Sequence, residues 1–352
     1  MSEEISFERI GAWGVVTLTR EKALNALTLG MVQQMRETLL DWADDASVKA
    51  VLMEGAGERA FCAGGDIRWL HDTAKTDPAA ACAFFQEEYR NNAVIHHYPK
   101  PYVALIDGIV MGGGVGLSVH GDYRIAGDAT LFAMPETGIG LFPDVGGGYF
   151  MPRLADGLGL YYALTGARAK AADCRAIGVA THYTPSEQQS ALRTDLLADA
   201  LEGDAHAGVQ RILSAHNREP DAAPIESNRD AIAWLFQGRA TLRSVFTALE
   251  EDDSDFSRET LETLARMSPT SIALTFEQMR RGAELSFNDA MKMEFRMVSR
   301  VMEGHDFFEG VRAQILDKDR NPQWSPARLE DVHQDDIETY FAPLGGGELT
   351  LP

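Results

Sequence analysis

The stretch Tyr102-Val103-Ala104-Leu105-Ile106-Asp107-Gly108-Ile109-Val110-Met111-Gly112-Gly113-Gly114-Val115-Gly116 runs from a short apolar segment into three consecutive glycines. The apolar run reads as a strand, and glycines between a strand and a helical stretch leave backbone N–H groups free at a helix N-terminus. Such a place favours developing negative charge. Two more clusters have the same setting, Cys62-Ala63-Gly64-Gly65-Asp66 and Gly138 through Gly148. Two of them facing one another supply two amide donors to a single carbonyl oxygen, the arrangement that stabilises an oxyanion or enolate. The plainer reading of one such cluster alone is a tight turn or close packing.

Nucleotide-binding loops are excluded by spacing. A dinucleotide fingerprint needs G-x-G-x-x-G near the first strand of its domain with an acidic residue about 20 positions on, whereas the glycine triplet lies beyond residue 110. No Gly-Lys-Ser/Thr follows any cluster, so a Walker A loop is absent too.

Working outward, strand-like and helix-like patterns alternate through the first half. Ile5–Ile10 and Val15–Arg20 read as a hairpin across Gly-Ala-Trp-Gly. Thr28 is placed to cap a helix carrying Met31, Met35, Leu39 and Trp42 on one face. Apolar runs recur at 50–53, 102–106, 123–126 and 131–133, and Pro78 suits the first turn of a helix reaching about Tyr98. From about Ala155 strand signals fade and helical patterns take over: 187–201, 227–236, 261–266, 271–281, 288–302 and 306–316. The expectation is an α/β fold, with residues 1–185 forming the core and 186–352 a helical C-terminal region. The acidic run 250–255 reads as a solvated connection between helices, and Leu344-Gly345-Gly346-Gly347 as a flexible end. No internal repeat is evident in the sequence.

Composition narrows the partners. With 352 residues, 45% apolar and 24% charged, the chain has the make-up of a globular protein. Its net charge of −21 repels nucleic acid and anionic membranes. No segment has the roughly 18 consecutive apolar residues of a membrane span. Cys62, Cys82 and Cys174 are odd in number and widely spaced, which speaks against a disulfide framework or a zinc site. No metal ligand set is read. With an N-terminus lacking a signal-like apolar core, the expected location is cytoplasmic.

Two carboxylates stand in apolar company: Glu136 in Phe132-Ala133-Met134-Pro135-Glu136, and Asp144 in Leu141-Phe142-Pro143-Asp144-Val145-Gly146-Gly147-Gly148. Such carboxylates tend towards raised pKa values and can serve as base, acid or nucleophile near neutrality. For Asp144, helix capping is an equal alternative. His96, His97 and His120 have no partner spacing and read as structural or exposed.

Tyr98 through Gly114, continuing through Phe132–Thr137 to Gly140–Tyr149, resembles the crotonase (enoyl-CoA hydratase/isomerase) superfamily, and within it the 3-hydroxyisobutyryl-CoA hydrolase branch. The likeness extends from Val15 to about Trp324, including Ser268-Pro269-Thr270-Ser271 and Asp306 through Ala313. It implies a spiral of ββα units followed by an all-helical C-terminal region, and hydrolysis of a short 3-hydroxyacyl-CoA thioester, most simply 3-hydroxyisobutyryl-CoA in valine catabolism. No cofactor is implied beyond the CoA of the substrate, and a homo-oligomer is allowed.

By motif match the resemblance implies an oxyanion hole from the backbone N–H groups of Gly65 and Gly113. Superfamily hydratases carry one glutamate shortly after the glycine triplet and another in the Pro-Glu motif. Here the first position is Gly116 and the second is Glu136. The hydrolase branch has an aspartate where hydratases commonly have glycine, matched by Asp144, and a substrate-contacting glutamate matched by Glu88. By position alone Glu88 reads as an exposed helical glutamate. The loop reaching Ala26 matches the superfamily's CoA-contacting loop, with Arg20 and Lys22 available for phosphates; Lys318 is a further candidate cation. Competing readings are a double-bond isomerase or hydratase of the same superfamily and, less favoured by the charge, an RNA-binding or scaffold protein.

Overall fold

In the computed structural model, which describes residues 4–352, the hairpin forms from β1 (Ile5–Ile10) and β2 (Trp13–Leu18), paired antiparallel with Ile5 opposite Leu18. Gly11 takes the positive φ of +59° that the tight turn requires. Thr28 caps the helix Leu29–Asp44 through the Met31 amide, and its buried stripe is Met31, Val32, Met35, Leu39 and Trp42. Asp77 and Pro78 open the long helix Pro78–His96, with Asp77 accepting from the Ala80 amide.

The remaining strands alternate between two sheets. β3 (Ala50–Gly55), β5 (Tyr102–Leu105), β7 (Tyr123–Ala126) and β10 (His182–Tyr183) extend the hairpin in the order β1-β2-β3-β5-β7-β10, parallel from β2 onward. β4 (Ala60–Cys62), β6 (Ile109–Met111), β8 (Leu131–Ala133) and β9 (Ala169–Lys170) make the second sheet in that order. Each successive pair, β3 with β4, β5 with β6 and β7 with β8, gives one strand to each sheet and ends in a helical turn. These are the ββα units that the resemblance implied. The repeat is one of geometry, carried by strands too short to leave a visible sequence period.

This topology builds the site. β4, β6 and β8 are adjacent and parallel, so the segments after their C-terminal ends emerge side by side. Those segments are Ala63-Gly64-Gly65, Gly112-Gly113 and Met134-Pro135-Glu136. Residues 65, 113 and 136 are thereby brought together.

The second half is helical, and its helices pack back onto the sheets. Ser186–Ala198 and Ala205–His216 cover the outer face of the larger sheet, with Leu192, Leu196, Val209 and Leu213 against Trp13, Val15, Leu52 and Val103. Pro269–Gly282 and Phe287–Val301 share a core with the helix Pro78–His96, where Tyr89 and Phe295 meet edge to face. The acidic run is shorter as a connection than its composition suggests: Leu242–Asp252 and Asp255–Leu264 are both helical, leaving two residues between them. Ser254 caps the second helix through the Ser257 amide.

The expected flexible end is also corrected. Gly345–Gly347 forms a 3-10 turn, Glu348 pairs with Arg296 at 2.9 Å, and Leu349 is buried. Arg90 donates to the Thr350 carbonyl. A buried leucine and these ion-pair and hydrogen-bond contacts outweigh the freedom of three glycines.

Candidate active site

A cavity of roughly 160 Å³ lies where the three parallel segments meet, lined among others by Gly65, Phe84, Glu88, Gly113, Glu136 and Asp144. Gly113 opens a short helix, so its N–H has no intrahelical acceptor. Among the described residues neither the Gly65 nor the Gly113 N–H donates to a backbone carbonyl. The two amides are close: a Cβ on Gly113 would lie 3.4 Å from the Gly65 nitrogen, and one on Gly64 would lie 3.4 Å from the Gly113 nitrogen. Gly64 and Gly112 reach this arrangement with φ of +104° and +48°, which L side chains rarely adopt. Two free, converging donors are what an oxyanion needs.

Three carboxylates face the same space. Glu88, Glu136 and Asp144 are 3, 5 and 4% exposed. Glu136 follows Pro135 at the start of a 3-10 turn after β8, and its Oε1 lies 3.3 Å from where a Gly112 Cβ would stand. Its Oε2 has no hydrogen-bond partner among the described residues. Glu88 lies against Gly113, where any side chain would collide with its Oε1, and that oxygen too is unpartnered. Asp144 is engaged by a side chain, its Oδ2 accepting from the Tyr89 hydroxyl at 2.9 Å.

Burial is the chief force on their ionisation. It raises Glu88 well above the usual carboxylate value, with the Asp144 and Glu136 charges adding to it. It does the same to Glu136, reinforced by Asp144. Asp144 rises to about 7, burial being partly offset by the Tyr89 hydrogen bond. No cation among the described residues offsets any of the three. Carboxyls raised in this way are suited to exchanging protons with a substrate or water near neutrality.

The structure thus brings Gly65, Gly113, Glu88, Glu136 and Asp144 into one cavity. Asp144 is not a helix cap: the turn Gly147–Phe150 follows Gly146 with no side-chain cap. Nor is Glu88 exposed, because it stands three residues after Phe85 and four after Phe84 on the buried face of its helix.

Arg20 is already engaged. Its guanidinium donates to the Ala26 carbonyl at 2.7 Å and to Asp66 Oδ2 at 3.0 Å, and pairs with Glu4. It fastens the loop through Ala26 to Asp66, which follows Gly65 and caps the helix Ile67–Ala74. Lys22 and Lys318 are exposed, without ion pairs among the described residues. Lys318 follows a π turn, Arg312–Leu316, whose Ile315 lines the cavity.

His120 bonds the Val145 carbonyl at 2.7 Å and His96 stacks on Phe287. Both are held neutral by burial, His120 at about 3 and His96 at about 4, so they support the site without titrating near neutrality.

Sequence reasoning missed Tyr89, Gln278 and Glu294. Glu294 is fully buried, accepts from the amides of Gly146 and Gly148 at 2.8 Å each, and is raised to about 8 by burial. Its signal was available: it sits with Ala290, Met291, Met297 and Val298 on an apolar helix face.

With this geometry in place, likeness to known proteins is informative. The sequence profile of the enoyl-CoA hydratase/isomerase family matches residues 13–341. The 3-hydroxyisobutyryl-CoA hydrolase, mitochondrial, of Xenopus laevis is 48% identical over 97% of this chain and 90% of its own length. The human protein of the same name is 44% identical over 99% of this chain and 91% of its own. Among solved structures, a carnitinyl-CoA dehydratase from Mycobacterium thermoresistibile superposes with a TM-score of 0.92 at 43% identity, covering 99% of both chains. An enoyl-CoA hydratase from Rhodobacter sphaeroides gives 0.90 at 36%, covering 99% of this chain and 100% of that one.

The expected cytoplasmic location is corrected by these relatives. The frog, zebrafish and human proteins are all named mitochondrial, which points to mitochondria rather than cytoplasm. Composition and reduced cysteines do not separate the two compartments. A fold of paired sheets, an amide pair facing buried carboxylates, and a family match over most of the sequence agree: the chain belongs to the enoyl-CoA hydratase/isomerase family.

Proposed function

We propose that the chain hydrolyses 3-hydroxyisobutyryl-CoA to 3-hydroxyisobutyrate and CoA. The observation that carries this is the juxtaposition of the Gly65 and Gly113 amides with Glu136 and Asp144 in one buried cavity, with no carboxylate at residue 116. The thioester carbonyl oxygen accepts from the two amides, and the charge it develops is stabilised there. Glu136 acts on the carbonyl carbon, by direct attack or by taking a proton from an attacking water. The C–S bond then breaks and the thiolate leaves as the thiol, taking its proton from Glu136 on the water route or from another carboxyl of the cavity on the direct route. On the direct route water then hydrolyses the mixed anhydride, releasing the acid and returning the Glu136 carboxylate. Asp144 orients Glu136 or the substrate, and Glu88 accepts a hydrogen bond from the 3-hydroxyl. Lys22 and Lys318 are the cations offered to the CoA phosphates, and the role in metabolism is valine catabolism.

A hydratase or dehydratase reading is favoured by the names of the two solved relatives. Against it stands residue 116. A Cβ there would lie 2.7 Å from Asn92 Nδ2 and 2.8 Å from Val145 Cβ, so the position is closed to a second catalytic glutamate. The curated relatives of equal or higher identity carry the hydrolase name.

Thiol release from 3-hydroxyisobutyryl-CoA, measured beside absorbance change on 2-enoyl- and 3-enoyl-CoA thioesters, tests the proposal. Rapid thiol release with negligible enoyl turnover is expected; the reverse pattern replaces the hydrolase reading with hydratase or isomerase. Isobutyryl-CoA, which lacks the hydroxyl, should be hydrolysed on the order of tenfold or more slowly if Glu88 makes the assigned contact. Single-turnover reaction in oxygen-18 water separates the two routes, since label in Glu136 marks direct attack.

A further inference from the structure

Asp144 is followed by a backbone conformation that needs explaining. Val145 has a φ of +50°, in the left-handed region. For a β-branched residue this is a true outlier, costing about 1–3 kcal/mol, and it persists only where the surroundings over-determine it. Glycine would adopt it freely, and the next residue is Gly146.

His120 holds the Val145 carbonyl at 2.7 Å, and the backbone on either side is held from far along the chain. Glu294, on the helix Phe287–Val301, accepts from the Gly146 amide through Oε2 and from the Gly148 amide through Oε1, both at 2.8 Å. Gln278, on the helix Pro269–Gly282, donates to the Pro143 carbonyl at 2.7 Å and to Glu294 Oε1 at 3.1 Å. One buried pair therefore grips the backbone on both sides of Asp144. Burying a carboxylate is costly, and a fold with apolar packing available has no need of one there for stability alone.

We infer that Glu294 and Gln278 are positioning residues for the reaction: they hold the strained turn at Val145 and thereby aim the Asp144 carboxylate at the cavity. This rests on the catalytic reading of Asp144 above and gives the helical C-terminal region a part in the chemistry. Neither residue lines the cavity. Their action runs through the backbone of residues 143–148.

A double-mutant cycle on the full chain tests it. Glu294→Gln replaces an acceptor pair by one acceptor and one donor, so one of the two amides loses its partner. The expected result is a cooperatively melting protein whose kcat for 3-hydroxyisobutyryl-CoA falls on the order of a hundredfold, with KM nearly unchanged. In an Asp144→Asn background the same change should cost less than about threefold, because the group being aimed is already gone.

A merely structural role predicts otherwise. Losses that multiply in the double variant, or an unchanged kcat in Glu294→Gln beside a collapsed one in Asp144→Asn, overturn the inference. Should Glu294→Gln not fold, Gln278→Met keeps the side-chain bulk, removes the donor to Pro143, and is read by the same cycle. Full activity of Asp144→Asn alone overturns the reading of Asp144 on which the inference stands, and is seen without touching Glu294.

Discussion

The Tyr89 hydroxyl donates to Asp144 Oδ2 at 2.9 Å in a wholly buried contact. It joins the helix that carries Glu88 to the loop after Glu136. It favours the charged form of Asp144, whose pKa would otherwise stand above about 7.

Tyr89→Phe removes that donor. The Asp144 pKa rises, so a rate that requires the ionised carboxylate needs a higher pH, and the acid limb of the kcat/KM profile moves in the alkaline direction. A buried carboxylate also loses its partner, at a cost of about 1–3 kcal/mol in chemical denaturation. A limb that stays put or moves towards acid contradicts the assignment of Asp144 as a group acting in its charged form.

Stability should depend on pH through the same burial. Burial raises Asp144 to about 7 and Glu294 to about 8, from ordinary values of 3.8 and 4.5. Between the unfolded and folded pKa values the native state binds more protons than the unfolded chain. Stability from these groups is therefore full below about pH 4 and is lost as pH rises towards about 8. Melting temperature is expected to fall from pH 5 to pH 8, after allowance for the other groups, and Asp144→Asn should flatten that slope. An Asp144→Asn slope equal to that of the unaltered protein argues against the raised value.

Gly116→Glu tests why the second glutamate of a hydratase is missing. The space beyond Gly116 is filled by Asn92 and Val145. Overpacking of this kind costs about 1–3 kcal/mol. The variant should melt earlier and gain no hydration of a 2-enoyl-CoA. Appearance of that activity would place the hydrolase character elsewhere than in this packing.

The residues that line the cavity were more legible in the sequence than those that support it. Glu136 and Asp144 stand out as carboxylates in apolar company, while Gly65 and Gly113 were singled out by the resemblance to the crotonase superfamily. Their convergence is a property of strand order β4-β6-β8, which strands of three residues do not advertise. Glu294 was hidden for another reason, and for the same reason Glu88, singled out by resemblance alone, read by position as exposed. A glutamate on a helix is ordinarily solvated, and only its place on an apolar stripe, Phe84 and Phe85 for the one, Met291 and Val298 for the other, reveals the burial. Arg20 illustrates the opposite case. It looked available to a phosphate, and the fold spends its charge on Asp66, Glu4 and the Ala26 carbonyl. The helix 334–341 escaped because its apolar positions are few.

The most direct test of the account is thiol release from 3-hydroxyisobutyryl-CoA by Glu136→Gln, set against the unaltered chain. Gln keeps the size and removes the ability to attack or to take a proton. With the oxyanion amides intact, binding should persist while kcat falls on the order of a thousandfold. A Glu136→Gln protein that hydrolyses the thioester within about tenfold of the unaltered rate contradicts the central role given to this carboxylate.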